Sequence, residues 1–330
     1  MPANLTPEFL KARKRFRAAK EPGEKLEALE EMLKTIPKHK GTDKMQADIK
    51  RRIAKLRAGQ SGGKPQGGRS SGYDHVPPEG AGQVTLIGPP NTGKSCLLAA
   101  LTNARPEVAE YPFSTLVPIP GMMAFEDISI QLLDLPPITP EYTEPWVYNL
   151  VRSCDLGLIV LDAADGDLLV DELEELLGLL DEHHLRPVVG READADPDER
   201  IREVPTRVLL NKVDAARRGH PDELLAQLPF PGLVVSATVG DGLDALRRLV
   251  FDGLRIVRVY TKMPGKQPDM TEPYTLPIGS TVLDAVRTVH RDFIDRLKYV
   301  RIWGSGRFDG QQVPADHVLE DGDIVEIHLH

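Results

Sequence analysis

The sequence predicts an α/β protein in which a mostly parallel sheet, covered by helices, lies between a helical region and a small β-rich domain. Two observations carry this prediction. Short apolar runs alternate with helix-like segments through the middle of the chain, and the composition changes near residues 82 and 256. The chain has 330 residues, 41% of them hydrophobic and 28% charged, which is enough for two or three domains with a buried core.

The first 58 residues are predicted to form a basic helical arm. Apolar residues recur at helical spacing over residues 6 to 19, 24 to 36 and 43 to 57. The arm holds 16 Lys and Arg against 8 Asp and Glu, although the whole chain has a formal net charge of −9. A basic arm on an acidic body can contact a polyanion such as RNA or a ribosome, or it can fold back on the body's own acidic surface.

Residues 59 to 82 are rich in Gly and Ser and are predicted to form a flexible linker, because they hold too few apolar residues to offset the entropy of ordering. Residues 83 to 255 show the alternation of strands and helices. Strands are predicted at residues 83–87, 122–126, 128–134, 156–162, 186–190, 206–211 and 232–236, and helices at 94–104, 141–153, 167–184, 221–227 and 241–254. The acidic segment from 191 to 205 is predicted to be an exposed loop.

Residues 256 to 330 are predicted to form a separate small domain, within the size range of autonomous folds. Its first and last segments, "IVRVYTK" and "DIVEIHLH", read as strands, and residues 281 to 297 read as an amphipathic helix. Tyr299 and Trp303 are expected to pack inside this domain, or to stack on RNA if they are exposed.

The composition also bears on location. No apolar run approaches the roughly 18 residues of a membrane span, and the N-terminus lacks a cleavable signal pattern, so we expect a cytoplasmic protein that does not contact membranes. Cys96 and Cys154 are the two cysteines, and neither they nor the histidines show metal-ligand spacing. Both cysteines are expected to be small buried residues in a reducing compartment.

A phosphate-binding loop is the most specific motif. The segment "GPPNTGKS", residues 88 to 95, follows a predicted strand and opens a predicted helix, which is the context that this loop requires. The glycines let the backbone point its amides at phosphate oxygens. Lys94 would reach the β- and γ-phosphates, and Ser95 would bind Mg²⁺ through its hydroxyl. The predicted nucleotide contacts are Gly88, Pro89, Pro90, Asn91, Thr92, Gly93, Lys94, Ser95 and Cys96.

The identity of the base is predicted from "NKVD", residues 211 to 214, at the end of a predicted strand. The carboxylate of Asp214 can accept two hydrogen bonds from guanine N1 and N2, whereas adenine would leave such a buried carboxylate unpaired. The segment "SAT", residues 236 to 238, follows another strand and would bring the Ala237 amide to the guanine carbonyl. The predicted base contacts are Asn211, Lys212, Asp214, Ser236 and Ala237.

These motifs, in this order and with "YPFSTLVPIPGMM" and "LLDLPP" between them, resemble the Obg superfamily of GTPases. The chain looks most similar to the developmentally regulated GTP-binding (DRG) proteins, because its last part is close to the TGS domain that ends them. The resemblance covers nearly all of the chain except the linker. It implies a Ras-like P-loop GTPase domain over residues 83 to 255, a β-grasp-like TGS domain over residues 256 to 330, GTP and GDP as ligands, GTP hydrolysis and action on ribosomes or RNA.

The resemblance also implies roles for single residues. Thr115 matches the threonine that completes Mg²⁺ coordination in the GTP state, and Asp134 matches the aspartate that holds Mg²⁺ through water. The implied metal set is Ser95, Thr115 and Asp134, and the implied catalytic set is Lys94, Thr115 and Asp134. Asn91 matches the asparagine that helps to bind K⁺ in potassium-activated relatives, where the cation neutralises developing charge; otherwise it only stabilises its loop.

The segment "DLPPI", residues 134 to 138, departs from the pattern of the family. Pro137 replaces the glycine whose amide donates to the γ-phosphate, and proline has no amide proton. The glycine-rich stretch that should follow is also missing, and Asp162 and Asp165 read as strand-end and turn residues rather than as catalysts. We therefore expect GTP binding to survive and hydrolysis to be slow without a partner or a cation.

Two other functions stay open at this point. The first is a non-hydrolysing adaptor that holds GTP as a structural ligand and recruits protein partners through its TGS domain and basic arm. The second is an ATP-using P-loop enzyme, against which Asp214 argues. The region from residue 256 onward holds 9 Lys and Arg against 11 Asp and Glu, so charge alone would not bind it to RNA.

Overall fold

The computed structural model describes residues 7–18, 22–36, 49–50, 53, 75–104, 117–140, 143–190, 201–216 and 221–330. The chain divides into two compact units, residues 1–69 and 70–330. Most of the predicted linker, most of the helix predicted at 43–57 and the predicted Mg²⁺ ligand Thr115 therefore lie outside the described residues. None of the helices within them has both the length and the apolar character needed to cross a bilayer.

The described part of the first unit is largely two helices, α1 (Pro7–Ala18) and α2 (Pro22–Thr35), which lie where the apolar periodicity predicts them. Their apolar side chains pack together with those of three later residues. The buried members of this core are Phe9, Ala12, Phe16, Ala28, Leu29, Met32, Ile36, Ile49 and Ile53. Apolar packing stabilises this unit more than the exposed ion pair between Arg15 and Glu31, because exposed pairs contribute at most about 1 kcal/mol.

A seven-stranded sheet forms the first part of the second unit. Its strands are β1 (Gln83–Ile87), β2 (Ile119–Phe125), β3 (Ile128–Asp134), β4 (Leu156–Asp162), β5 (Leu185–Val188), β6 (Arg202–Asn211) and β7 (Gly232–Val234). They lie in the order β2-β3-β1-β4-β6-β5, and β7 pairs with the second half of β6. Among the strands that the structure describes in this sheet, only β2 and β3 are antiparallel neighbours. The predicted α/β class, with its mostly parallel sheet, is confirmed.

Helices cover both faces of this sheet. They are α3 (Lys94–Leu101), α4 (Pro145–Ser153), α5 (Gly166–Glu182), α6 (Pro221–Ala226) and α7 (Leu243–Leu254). Neighbouring residues of β4 belong to different clusters of buried side chains, since Leu158 is in the cluster of Leu98 and Leu246 while Ile159 is in that of Leu150. Because both faces are covered, the central strands read as continuous apolar runs in the sequence.

The parallel register decides where the loops meet. Leu86 of β1 pairs with Asp134 of β3, and Asp162 of β4 pairs with Asn211 of β6. The carboxyl ends of these four strands therefore lie at one edge of the sheet. Ligand sites of parallel α/β sheets form outside this edge.

A second sheet of five strands follows. Its strands are β8 (Ile256–Lys262), β9 (Asp269–Pro277), β10 (Leu297–Trp303), β11 (Gln311–Val313) and β12 (Asp323–Leu329), in the order β11-β10-β12-β8-β9. Helix α8 (Val282–Val289) buries Val282, Ala285 and Val286 in the core of this domain. The helix begins with a capping box, in which the side chains of Thr281 and Asp284 each accept a hydrogen bond from the other residue's amide.

Two boundaries predicted from the sequence are wrong. The loop predicted at 191–205 gives way at Arg202 to β6, whose first residues pair with β5 and bury Val204. The helix predicted over 281–297 ends at Val289, because His290 has an extended backbone, and β10 begins at Leu297. Amphipathic spacing continues past the end of this helix, so periodicity alone could not place its end.

Arg258 of β8 joins the two sheets. Its side chain lies among three carboxylates, donating to Asp321 in its own domain and to Glu126 and Asp127 in the β2–β3 turn. The distances to Asp127 and Asp321 are both 2.8 Å. The hydroxyl of Tyr260, two residues further along β8, also donates to Asp127. The two domains are thus held together by charge-assisted hydrogen bonds at a largely buried arginine.

Two of the carboxylates around Arg258, those of Asp127 and Asp321, are stabilised in their charged form. Burial alone would raise the pKa of Asp127 and of Asp321. Hydrogen bonds outweigh this effect and hold both pKa values below the ordinary one, through Tyr260 and Arg258 at Asp127 and through Arg258 at Asp321. A carboxylate whose pKa is lowered by folding adds stability above about pH 4 and loses it as the pH falls through the folded-state value.

We expect Arg258→Met to lower the free energy of unfolding by about 2 kcal/mol at pH 7, because it keeps the aliphatic stem but leaves carboxylates without their cation. The difference from the wild type should narrow as the pH falls below about 4. Urea unfolding, followed by tryptophan fluorescence at pH 7 and at a pH below about 4, measures the difference in stability between the variant and the wild type. Arg287→Met removes an exposed pair with Asp284 and is the control, expected to change stability little. Equal effects of the two variants would contradict the prediction.

Candidate nucleotide-binding site

The loop between β1 and α3 has a backbone that only glycine permits at two positions. Gly88 has a φ of 153°, and a Cβ there would overlap the carbonyl oxygen of Val160. Gly93, just before α3, has a φ of 90°, and a Cβ there would overlap Nδ2 of Asn211. The loop is thereby pressed against the ends of β4 and β6. The loop continues directly into the N-terminus of α3, and backbone amides in such a loop bind phosphate groups.

Lys94 is the charged group of this loop. Only 6% of the residue is exposed, and its ammonium donates to the carbonyl oxygens of Gly88 (3.0 Å) and Pro89 (2.7 Å). Burial lowers the pKa of Lys94 to about 8, an effect that nearby Asp134 opposes and Lys212 reinforces. The side chain is therefore folded onto the loop, where its charge can meet an anion without further ordering.

Ser95 and Asp134 bring together the oxygen atoms of the predicted metal site. Asp134 ends β3 and is fully buried, and its Oδ2 accepts a hydrogen bond of 2.5 Å from the Ser95 hydroxyl. A hydroxyl and a carboxylate are oxygen ligands of the type that Mg²⁺ prefers, and few protein ligands suffice when phosphates supply the others. In the described part of the chain, no cluster of three or more His, Cys, Asp or Glu side chains could hold a metal by itself. The residues therefore fit Mg²⁺ bound together with a phosphate ligand.

Asn211, the last residue of β6, connects three segments. Its side chain is 1% exposed; Nδ2 donates to Thr92 O (2.9 Å) and Oδ1 accepts from the amide of Ala237 (3.1 Å). The predicted phosphate loop and the "SAT" segment are thus fixed to the end of β6. The sequence predicts that the Ala237 amide meets a guanine carbonyl, whereas in the structure this amide donates to Asn211. A guanine oxygen would have to share this donor.

Asp214 lies one turn beyond Asn211, and its Oδ1 accepts a hydrogen bond of 2.6 Å from the hydroxyl of the buried Ser236. The amide of Val239 donates to the same hydroxyl (3.1 Å), which fixes its orientation. The structure corrects one assumption of the sequence analysis, because Asp214 is exposed and not buried. Selection against adenine by an unpaired carboxylate would therefore require the base itself to cover Asp214.

Lys212 crosses from the base-reading segment to the phosphate loop. Its backbone has a φ of 66°, and its ammonium donates to the carbonyl oxygen of Asn91 and to Oδ2 of Asp162 (2.6 Å). Asp162 also caps its own turn, since its Oδ1 accepts from the amide of Ala164 (2.9 Å). The sequence predicts the strand-end position of Asp162 but not its ion pair with Lys212. The signal for this ion pair is that Asp162 lies opposite Asn211, the residue before Lys212. That signal can be read only when the register between β4 and β6 is known.

The segment after Asp134 packs against the phosphate loop. Leu135, Pro137 and Ile138 are buried, and the amide of Ile138 donates to the carbonyl oxygen of Gly88 (3.3 Å). Leu135 and Ile138 belong to the apolar cluster that includes Trp146. The described part of this segment is therefore held by packing and by a backbone hydrogen bond.

Two family descriptions match the sequence, "50S ribosome-binding GTPase" over residues 83–190 and "TGS domain" over residues 257–329. An uncharacterized GTP-binding protein of Methanocaldococcus jannaschii is 31% identical over 361 residues, which cover 92% of each chain. Developmentally-regulated G-protein 2 of Arabidopsis thaliana is 32% identical and covers 92% of this chain and 90% of its own. Ribosome-interacting GTPase 1 of Saccharomyces cerevisiae is 29% identical and covers 92% of this chain and 98% of its own.

Among solved structures, the G domain of the T. maritima FeoB iron transporter is similar to 52% of this chain and 97% of its own. The TM-score is 0.37 and the identity is 24%, a likeness too distant to bear on function.

We expect Gly93→Ala to lower the free energy of unfolding by about 3 kcal/mol, because the methyl group would displace the Asn211 amide and leave buried polar groups unpaired in a strained backbone. Thermal and urea unfolding measure the loss. Gly178→Ala is the matched control, since Gly178 lies within α5 and a Cβ there would meet no atom within 4 Å. The control should gain stability, by about 0.5–1 kcal/mol. A Gly93→Ala protein as stable as the wild type would disprove the constraint.

Proposed function

The chain belongs to the family of developmentally regulated GTP-binding proteins, and we propose that it binds GTP and GDP at the carboxyl edge of its seven-stranded sheet and hydrolyses GTP slowly. One observation carries the proposal. The buried amide of Asn211 joins the predicted phosphate loop to the predicted guanine-reading segments, so that both halves of a guanine-nucleotide site occupy one edge of the sheet. Such an edge is where α/β sheets bind ligands.

The phosphates would lie on the loop from Gly88 to Ser95. Backbone amides and the N-terminus of α3 would receive the negative charge, and Lys94 would neutralise part of it with an ammonium that is already in place. Guanine would lie against Asp214, with Ser236 holding that carboxylate and Lys212 beside it. The short, fixed contacts among these side chains support binding without large rearrangement.

Mg²⁺ would be held by Ser95 and Asp134, with Thr115 as a further ligand that the DRG resemblance implies. When bound, the ion supplies positive charge to the phosphates. The two described side chains contribute hard oxygen atoms, and Asp134 is orientated by its place at the end of β3. A potassium ion near the exposed Asn91 remains part of the proposal, because it could replace charge that other GTPases obtain from an arginine.

Slow hydrolysis follows from the segment after Asp134. Pro137 has no amide to offer the γ-phosphate, and the amide of Ile138 is directed at Gly88. The same observations favour the alternative of an adaptor that holds GTP without hydrolysing it. In both cases we propose that the described part of this segment responds little to the difference between GTP and GDP.

We propose a cytoplasmic protein that acts on ribosomes or RNA. The yeast relative named a ribosome-interacting GTPase supports the ribosome. The basic N-terminal arm would supply charge for a polyanion, and the acidic TGS domain would add protein contacts.

Phosphate release from GTP, measured with Mg²⁺ in KCl and in NaCl, tests the enzymatic part of the proposal. We expect slow release that is faster in KCl. In Asn91→Gly the advantage of KCl should disappear, and glycine is the appropriate replacement because Asn91 has a φ of 65°. Tight GTP binding with no release in either salt would favour the adaptor instead.

Asp214→Asn tests the guanine reading. An amide in place of the carboxylate can donate to the carbonyl that xanthine carries at C2, so XTP should bind better than to the wild type, and GTP at least about tenfold worse. Competition binding with GTP, XTP and ATP measures these affinities, with Asp244→Asn as a control at a fully exposed carboxylate. Unchanged GTP affinity in Asp214→Asn would remove the basis for guanine specificity.

A further inference from the structure

The side chain of Lys212 spans the gap between the two halves of the proposed site. Its Cα belongs to the "NKVD" segment, and its ammonium reaches the carbonyl oxygen of Asn91 on the phosphate loop. The stem of the side chain therefore bridges the base-reading segment and the phosphate loop. Whatever fixes the ammonium also fixes the spacing between these two segments.

Two groups hold that ammonium, and Asp162 is the one that carries charge. The two side chains form an ion pair of 2.6 Å in which Lys212 is 33% exposed and Asp162 is 14% exposed. The second oxygen of Asp162 accepts from the Ala164 amide, so both oxygens have a partner and the carboxylate cannot rotate freely. Limited exposure and a fixed acceptor make this pair stronger than an ordinary surface pair.

The fold places the pair by register. Asp162 and Asn211 are direct partners across β4 and β6, so Lys212 comes one residue after the position opposite the carboxylate. The left-handed backbone at Lys212 ends the strand at this point and precedes a short 3-10 turn. The pair thus depends on the same strand ends that position Asn211 and the phosphate loop.

We propose that Asp162 is a positioning residue for guanine-nucleotide binding, which acts by holding the Lys212 ammonium on the phosphate loop. The inference rests on the proposed function. Because protein groups alone hold the Lys212 ammonium in place, nucleotide binding does not have to order this side chain. Asp162 and Lys212 are not among the residues assigned to Mg²⁺, and Lys212 bonds to the loop at Asn91, so the benefit should be the same for GTP and GDP.

Asp162→Asn is the direct test, because it removes the charge and keeps the shape and an oxygen for the Ala164 amide. We expect the affinities for GTP and GDP to fall together by about tenfold, the size of one charge-assisted hydrogen bond. Asp162→Ser also keeps an acceptor for the turn but cannot reach Lys212, and it should behave in the same way. Asp244→Asn, which removes the charge of a fully exposed carboxylate, should bind as the wild type does.

A double-mutant cycle separates positioning from a general structural role. Lys212→Met keeps the stem and removes the ammonium, and Asp162→Asn/Lys212→Met should bind no worse than the weaker of the two single variants. If the losses of nucleotide affinity in the two single variants multiply in the double variant, Asp162 serves only its own turn and the inference is overturned. So would an Asp162→Asn protein with unchanged affinity.

Comparison of GTP with ITP supplies a second readout. ITP lacks the 2-amino group that Asp214 would read, so the ratio of GTP to ITP affinity should stay unchanged in Asp162→Asn even though both affinities fall. A ratio of GTP to ITP affinity that falls to about one in Asp162→Asn would mean that Asp162 acts on Asp214 and not through Lys212. A wild-type protein that binds no guanine nucleotide would overturn the proposed function, whereas a binding wild type with an unaffected Asp162→Asn would overturn this inference alone.

Discussion

The buried side-chain amide of Asn211 is the interaction on which the arrangement of the site depends. One planar group donates to Thr92 O and accepts from the Ala237 amide, and so fixes the loops after β1 and β7 to the end of β6. The parallel sheet brings these strand ends to one edge, and the amide turns that proximity into defined distances. Gly93 is part of the same constraint, because a side chain there would occupy the place of the amide. An unpaired amide at 1% exposure would be costly, so the loops and the amide order one another.

The β2–β3 hairpin links this site to the C-terminal domain. Its ladder begins at Ile119, which pairs with Asp134, and ends at Phe125, which pairs with Ile128. The turn beyond contains Asp127, the acceptor of hydrogen bonds from both Arg258 and Tyr260. A regularly paired ribbon therefore carries the proposed metal-binding carboxylate at one end and the contact with the second sheet at the other. The orientation of the C-terminal domain and the position of Asp134 are defined by one element.

The sequence predicted those parts of the molecule whose chemistry is local. The segment "GPPNTGKS" lies between β1 and the first turn of α3 and "NKVD" begins at the last residue of β6, as predicted, and the apolar runs of β1, β3 and β4 coincide with the observed strands. Contacts between distant residues escaped prediction: Asp162 is 50 residues from Lys212, and Arg258 is 131 residues from Asp127. Such pairs follow from register and domain packing, which no local pattern encodes. The end of α8 was missed for the opposite reason, since a local pattern persisted where the backbone of His290 left the helix.

Pro137 shows how a departure from a family pattern is accommodated. The segment is still held in place although Pro137 removes one amide donor. Leu135 and Ile138 are buried in the core, and the Ile138 amide donates to the carbonyl oxygen of Gly88. The carbonyl of Gly88 also accepts from Lys94, so a single oxygen holds both the segment and the lysine proposed to meet the phosphates. Within the described part of this segment, Pro137 has no amide to offer the γ-phosphate and the Ile138 amide already donates to Gly88. Recognition of the γ-phosphate would then depend on Lys94, on bound Mg²⁺ and on Thr115. On this proposal the groups that bind GTP are different from the switch segment that would support its hydrolysis.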